Sequence, residues 1–166
     1  MTYARNSHCS WCGHPFGDQM DWPRQCQNCQ NTSYINPLPV AVALIPVKGR
    51  GVLGVRRGIE PRKGQVALPG GFIDVGESWQ EACAREVLEE INITIDPSKI
   101  TLLTALSAPD GTLLVMGVAP EVDEDSLPEF QPNAETMERV IITEEEPLEL
   151  AFPLHTQAVK AFFNKA

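Results

Sequence analysis

The chain has 166 residues, 43% of them hydrophobic and 21% charged, values that exclude whole-chain disorder and leave room for one globular domain with a small appendage. Its longest apolar run, Val40 to Val47, is broken by Pro46 and falls far short of the ~20 residues that span a bilayer. A net charge of −9 repels bare nucleic acid and anionic metabolites, so a phosphate-bearing ligand would need a locally held cation.

Taken in chain order, the first feature is a pair of Cys-x-x-Cys sequences, Cys9-Ser10-Trp11-Cys12 and Cys26-Gln27-Asn28-Cys29, separated by thirteen residues. Each can sit on a tight knuckle, Gly13 supplying a permissive backbone after the first, so four thiolates converge on Zn²⁺. Disulfides or free core thiols are the alternative. No apolar signal segment accompanies Arg5 and His8, so the expected location is the cytoplasm, where disulfides are disfavoured. Four cysteines close the coordination sphere, which makes the expected zinc structural, in a ribbon over about residues 6–32 where metal replaces a core. Residues 1–34 are the expected ribbon domain and 35–166 the main one. Zinc ribbons also occur in nucleic-acid-binding regulators. Here Arg5 and Arg24 face Asp18 and Asp21 with no basic patch, which argues against that role.

Asn36-Pro37-Leu38-Pro39 reads as a rigid linker. Val40 to Val47 predicts a buried strand, Lys48-Gly49-Arg50-Gly51 a turn and Val52 to Arg56 a second strand, giving a hairpin. Gln65 to Leu68 predicts a short strand before Pro69-Gly70-Gly71, and Phe72 to Val75 an extended segment. Ser78-Trp79-Gln80-Glu81 is a capping box that opens a helix, with Trp79, Cys83, Val87 and Ile91 on its apolar face and Asn92 as terminator. Cys83 on that stripe reads as a small buried hydrophobe. Further strands are expected at Ile100 to Leu106, Thr112 to Val118 and Arg139 to Ile142. Glu121 to Glu138 reads as an acidic loop and Leu154 to Phe163 as a terminal helix. The pattern gives an α+β fold, a mixed sheet with helices on its faces.

Glu86 and Glu90 stand four residues apart on one helix face, with Glu89 beside them. Three like charges so close either form a solvated acidic face or gather a hard cation, Mg²⁺ or Mn²⁺. Arg85 can neutralise or orient one of them.

The residue order over Gly71 to Ile93 resembles the box of the Nudix hydrolases, Gly-x5-Glu-x7-Arg-Glu-U-x-Glu-Glu-x-Gly-U, where U is aliphatic. Gly71, Glu77, Arg85, Glu86, Val87, Glu89, Glu90 and Ile93 match in register, eight of nine defined positions. Asn92 stands where the family has glycine, and asparagine is the best substitute at a left-handed position. Zinc-ribbon members of the family share the N-terminal arrangement.

The resemblance implies a curved mixed sheet between helices, with a strand-loop-helix site that holds divalent cations against a diphosphate. Glu86 and Glu90 would be the principal ligands, assisted by Glu89, the Gly70 carbonyl and Glu77, the last through a further metal or through water. Arg85 would orient the carboxylates. Cations there would polarise the diphosphate and activate water, with Glu89 or a late-loop glutamate as base. Glu138, in Glu135-Thr-Met-Glu138, is the preferred late residue, either a ligand or a surface charge. Arg56 and Arg57 point to opposite strand faces, so at most one would meet the substrate phosphates.

The architecture also resembles NADH pyrophosphatases, yet their Ser-Gln-Pro-Trp-Pro-Phe-Pro signature is absent, Leu106 to Val115 standing there instead. The shorter plant-type FAD and ADP-ribose pyrophosphatases are closer, sharing the ribbon, the Asn-Pro linker and Leu150-Ala151-Phe152. A nucleoside-diphosphate derivative, ADP-ribose or FAD ahead of NADH, is the expected small-molecule substrate. A silent nucleotide sensor is the rival from another class, disfavoured by the intact glutamate pairs. Relatives that build sites across two chains imply a homodimer.

Overall fold

The computed structural model describes residues 4–17, 21–144 and 149–164, so Asp18 lies outside the described residues. By its internal contacts the chain divides into two units, Met1–Pro37 and Leu38–Ala166.

In the first unit two equivalent turns carry the cysteines. Gly13 N donates to Cys9 O at 3.0 Å and Gln30 N to Cys26 O at 2.9 Å. Both closing residues are left-handed, Gly13 at φ 73° and Gln30 at φ 61°. Strands β1 (Arg24–Gln25) and β2 (Thr32–Ser33) pair antiparallel around the second turn. The four sulfurs lie within 4.8 Å of one another, with Cys9 to Cys29 at 3.7 Å and Cys12 to Cys26 at 3.6 Å. A tetrahedron of sulfurs ~2.3 Å from a zinc ion has edges of about 3.8 Å, so four thiolates arranged this way fit Zn²⁺.

The second unit is built on β3 (Leu38–Val47), whose apolar run from Val40 to Val47, interrupted by Pro46, is explained by burial on both faces. Ala41, Ala43, Ile45 and Val47 enter one core with Ala82, Cys83, Val87 and Ile91 of α1 (Trp79–Ile91). Val42 and Leu44 enter the other with Ala158 and Val159 of α2 (Pro153–Phe163). The period-two alternation of a strand thus places one helix on each side of the sheet. Cys83 is fully buried, and burial pushes its thiol up to about 12, as a small apolar residue rather than a nucleophile requires.

β4 (Gly51–Arg57) returns antiparallel on the second half of β3, pairing Ile45 with Leu53. The first half pairs with β6 (Gly70–Phe72) antiparallel and with β8 (Thr112–Val118) parallel. β5 (Val66–Ala67) and β9 (Thr136–Ile142) both pair with β4, and β7 (Thr101–Ser107) closes the far edge against β8. The mixed parallel and antiparallel sheet between two helices is the expected α+β architecture. Two boundaries differ from expectation. β6 covers the glycine pair rather than Phe72 to Val75. The acidic 121–138 segment ends earlier, because β9 begins at Thr136 and places Glu138 on a strand.

The helix start is as the capping box predicts: Glu81 N donates to Ser78 Oγ at 3.2 Å, and Ser78 N to Glu81 Oε2 at 2.6 Å. Asn92 ends the helix at φ 55° and ψ 39°, donating to Leu88 O, so it does the backbone work of a glycine at that position.

Candidate active site

β6 and α1 bring the acidic residues together. Gly71 pairs with Ala41 of β3, and Ala41 faces α1. Cross-strand partners share a face, so the missing side chain of Gly71 also points at α1. Glu86 occupies that space. A Cβ on Gly71 would stand 2.5 Å from Glu86 Cδ and 2.8 Å from its Oε2. Gly70, one residue earlier, donates its N–H to Glu90 Oε2 at 3.2 Å. The two glycines are therefore the floor on which the two helix carboxylates rest.

Arg85 connects the remaining groups. Its Nη2 donates to Glu77 Oε1 at 2.7 Å and to Phe72 O at 2.9 Å, its Nε to Glu77 Oε2 at 3.2 Å, and its Nη1 to Glu86 Oε1 at 2.6 Å. The same Nη1 lies 3.4 Å from Glu89 Oε2. The two-pronged contact with Glu77 uses the planar fork that lysine lacks. It holds the Glu77 carboxyl below the usual carboxylate range, aided by the Asp74 N–H, and pushes the guanidinium further from deprotonation.

Glu90 has the opposite fate. It is 7% exposed, and burial pushes its carboxyl up to about 8, the nearby charges of Glu86 and Glu135 adding to the effect. Burial raises Glu86 as well, despite the Arg85 contact. Glu90, buried, and Glu86, half-buried with Arg85 on its Oε1, form with Glu89 a carboxylate-rich donor set in which one guanidinium is shared. All the donors are hard oxygens, which fits Mg²⁺ or Mn²⁺ rather than zinc. Among the described residues only the four cysteines have their donor atoms gathered within 4.8 Å, Glu86 Oε1 being turned onto Arg85. Glu89 projects outward with its side chain 58% exposed, beside a cleft of about 200 Å³ that it lines with Glu90, Asn133, Ala134 and Glu135.

The two arginines of β4 separate as expected. A register irregularity falls between Arg56 and Arg57. Arg56 Nε donates to Glu138 Oε2 at 2.7 Å, directly across the β4–β9 ladder. Arg57 lies over the Phe152 ring at 5.1 Å, and its charge acts on Glu90 and on His155. Arg57 Nε donates to Pro61 O at 2.8 Å, so neither arginine makes a direct contact with the helix carboxylates.

Glu138 is therefore a strand residue in an exposed ion pair. The late acidic residue whose charge reaches both Glu86 and Glu90 is Glu135, three positions earlier. Sequence spacing cannot choose between the two late glutamates, because that depends on where β9 begins.

Two further residues carry no motif. His155 of α2 is buried, and its Nδ1 accepts from Leu68 N at 3.1 Å, which leaves the proton on Nε2. Burial, helped by the charge of Arg57, pushes it down to about 4. It thereby fastens the Leu68-Pro69-Gly70 segment that presents Gly70 to Glu90. Arg139 donates from Nη1 to Pro128 O at 2.6 Å and from Nη2 to Ile91 O, supplying a cation at the C-terminus of α1, whose last turn has none of its own. Among the described residues no helix is long and apolar enough to cross a membrane.

Comparison with known proteins agrees with this geometry. The NAD-capped RNA hydrolase NudC of Yersinia enterocolitica is 29% identical over 126 residues, which are 75% of this chain and 47% of that protein. The NudC of Edwardsiella ictaluri is 33% identical over 94 residues, 56% of this chain and 36% of that protein. The chain thus spans between about a third and a half of the length of these curated relatives. A NUDIX hydrolase from Nitrosomonas europaea superposes with a TM-score of 0.73 at 27% identity, covering 96% of this chain and 91% of that one. The NUDIX domain of Shewanella oneidensis NrtR, complexed with ADP ribose, shares the fold with a TM-score of 0.65 at 20% identity, over 80% of this chain and 90% of that one. The NUDIX domain family model matches residues 37–161, and with the glycine floor, the arginine fork and the helix glutamates all in register, the chain belongs to the NUDIX family.

Proposed function

We propose that this protein is a divalent-metal-dependent pyrophosphohydrolase that cleaves the diphosphate linkage of a nucleoside-diphosphate derivative, with ADP-ribose or FAD as the favoured substrate. One observation carries the reading: Glu86 and Glu90 rest on a floor made by Gly71 and Gly70, with one guanidinium, Arg85, shared among Glu77, Glu86 and Glu89. Mg²⁺ or Mn²⁺, held by Glu86 and Glu90 with Glu89 and the Gly70 backbone assisting, would supply the charge that neutralises a diphosphate and makes water acidic enough to attack. The protein's own groups supply the rest. Arg85 orients Glu77 and Glu86, and favours the ionised form of Glu77. Arg57 is the cation placed to meet a substrate phosphate. Glu89, exposed beside the cleft, would take a proton from the attacking water, with a late glutamate as the second candidate, either Glu138 or Glu135, which lines the cleft.

A reading in which the substrate carries NAD is favoured by one specific observation, the similarity to proteins named NAD-capped RNA hydrolases. NAD, FAD and ADP-ribose all carry a diphosphate next to a nucleoside, so the same carboxylate site would serve each. The four-cysteine unit is proposed to hold one structural Zn²⁺.

The test is a panel of ADP-ribose, FAD, NADH, CoA and diadenosine polyphosphates with Mg²⁺ or Mn²⁺, reading released mononucleotide. Turnover of at least one is expected, and Glu86→Gln and Glu90→Gln should each abolish it while circular dichroism stays unchanged. Normal turnover by either variant would remove the proposed ligands. Absence of turnover across the panel, with Mn²⁺ still bound, would point to a sensor.

A further inference from the structure

The segment before β9 contains a side chain whose hydrogen bonds all connect two functional parts. Asn133 Nδ2 donates to Glu89 O at 3.0 Å and Glu90 O at 3.2 Å, the backbone carbonyls of two carboxylate residues in the last turn of α1. Its Oδ1 accepts from Glu135 N at 2.9 Å and Thr136 N at 2.8 Å. One amide group thus joins the end of the helix to the start of the strand. The first pair of bonds uses carbonyls that a helix end leaves without partners. The second pair is an Asx turn that fixes the backbone of Glu135. From the other side, Gly58 N donates to Glu135 O at 2.6 Å, and a Cβ on Gly58 would come within 2.9 Å of Ala134 O. Glu135 is therefore held between β4 and α1, on the wall of the cleft it shares with Glu89 and Glu90.

We propose that Asn133 is a positioning residue, tying the last turn of α1 to the 133–135 turn so that Glu135 is held on the wall of the cleft it shares with Glu89 and Glu90, where its carboxylate can join their cation site. The proposal deepens the hydrolase reading and rests on it for the role of the cation. Asn133 touches no substrate. It acts through Glu135, whose backbone it sets, with the carbonyls of Glu89 and Glu90 as its anchor on the helix.

Two substitutions separate its halves. Asn133→Asp keeps the acceptor for Glu135 N and Thr136 N but turns an oxygen onto the two helix carbonyls. Asn133→Ser can still accept from the turn through Oγ but cannot reach the helix. The zinc-loaded full-length protein, without substrate, is titrated with Mn²⁺, following free Mn²⁺ by electron paramagnetic resonance. Thermal melting is recorded alongside, and Asn133→Ser carries the test if Asn133→Asp does not fold. The expected result is Mn²⁺ affinity reduced about tenfold in either variant, as for the loss of an outer partner that orients a metal ligand. Glu135→Gln should weaken Mn²⁺ similarly, and adding Asn133→Ser to Glu135→Gln should cost little more, because the two act through one carboxylate.

Parental Mn²⁺ affinity in Asn133→Ser overturns the proposal. So does an Asn133→Ser loss that persists in full in the Glu135→Gln background, since that is the signature of a merely structural bond. Mn²⁺ binding is read without any substrate, so failure of the hydrolase reading leaves this measurement interpretable.

Discussion

Gly71→Ala tests the site more sharply than removal of a carboxylate, because it adds one methyl group at a place where only the glutamate can yield. The added Cβ would stand 2.5 Å from Glu86 Cδ and 2.8 Å from Glu86 Oε2, closer than real side-chain contacts come, and all of its close neighbours belong to the Glu86 carboxylate. Gly71 has no left-handed φ, so alanine is not strained at this position. The overlap is relieved when the end of a flexible side chain retreats by roughly 0.5–1 Å, while the backbone stays in place. A misplacement of that size costs about 10²-fold in rate where geometry is set by the catalytic groups. The expected outcome is kcat/KM down about 100-fold on the best substrate of the panel, with Mn²⁺ affinity weakened and the melting temperature nearly unchanged. Gly70→Ala is the control. There the added Cβ meets backbone, Ala41 O and Val42 Cα, so the β3–β6 pairing must open and stability should fall, by about 1–3 kcal/mol. Parental turnover and Mn²⁺ affinity in Gly71→Ala would refute the claim that Glu86 rests on this floor and acts from it. Unfolding of Gly71→Ala would show that the carboxylate cannot yield.

The buried His155 predicts a pH dependence. Its folded-state value, about 4, lies below the ordinary 6.5, so its contribution is fully present above pH 6.5 and is lost as pH falls toward 4, about 3 kcal/mol across that window. Glu90, raised to about 8, works oppositely, its penalty easing as pH falls toward 4.5, so the comparison is between the parent and His155→Gln. Denaturant melts at pH 7 and pH 4 should show the parent losing more stability than the variant, and equal losses would contradict the burial argument. For the first unit, metal analysis should find one zinc per chain and none after Cys26→Ser. Full zinc retention by that variant would remove the four-thiolate site.

Much of this was legible because local chemistry and tertiary placement agree. The 78–92 segment holds its own start signal, its apolar stripe and its stop, and its glutamates fall on consecutive turns whatever the rest of the chain does. The burial of β3 was legible as a long apolar run, and the cysteine knuckles as spacing. What escaped has a common cause. Glu135 and Glu138 differ only in where a strand begins, and the register of β9 is set by pairing with β4, eighty residues away in sequence, rather than by any local signal. His155 and Asn133 satisfy backbone groups of distant segments, Leu68 N and the carbonyls of Glu89 and Glu90. Which backbone group lacks a partner is decided only once the sheet and helix have met.

Those residues also explain how so acidic a chain could accept an anion. Arg85 is the one arginine within reach of several site carboxylates, and its fork is already committed to Glu77, Glu86 and Phe72 O. It cannot also receive a phosphate without releasing the groups it orders. Arg57 reaches Glu90 only by its field. The excess of negative charge is therefore structural, built in by burying Glu90 beside a half-buried Glu86 and setting Glu135 on the wall of the cleft that Glu89 and Glu90 line. On the proposed reading, a mobile cation in this place rather than a third arginine would leave coordination positions open to a diphosphate, whereas an arginine would close the site on itself.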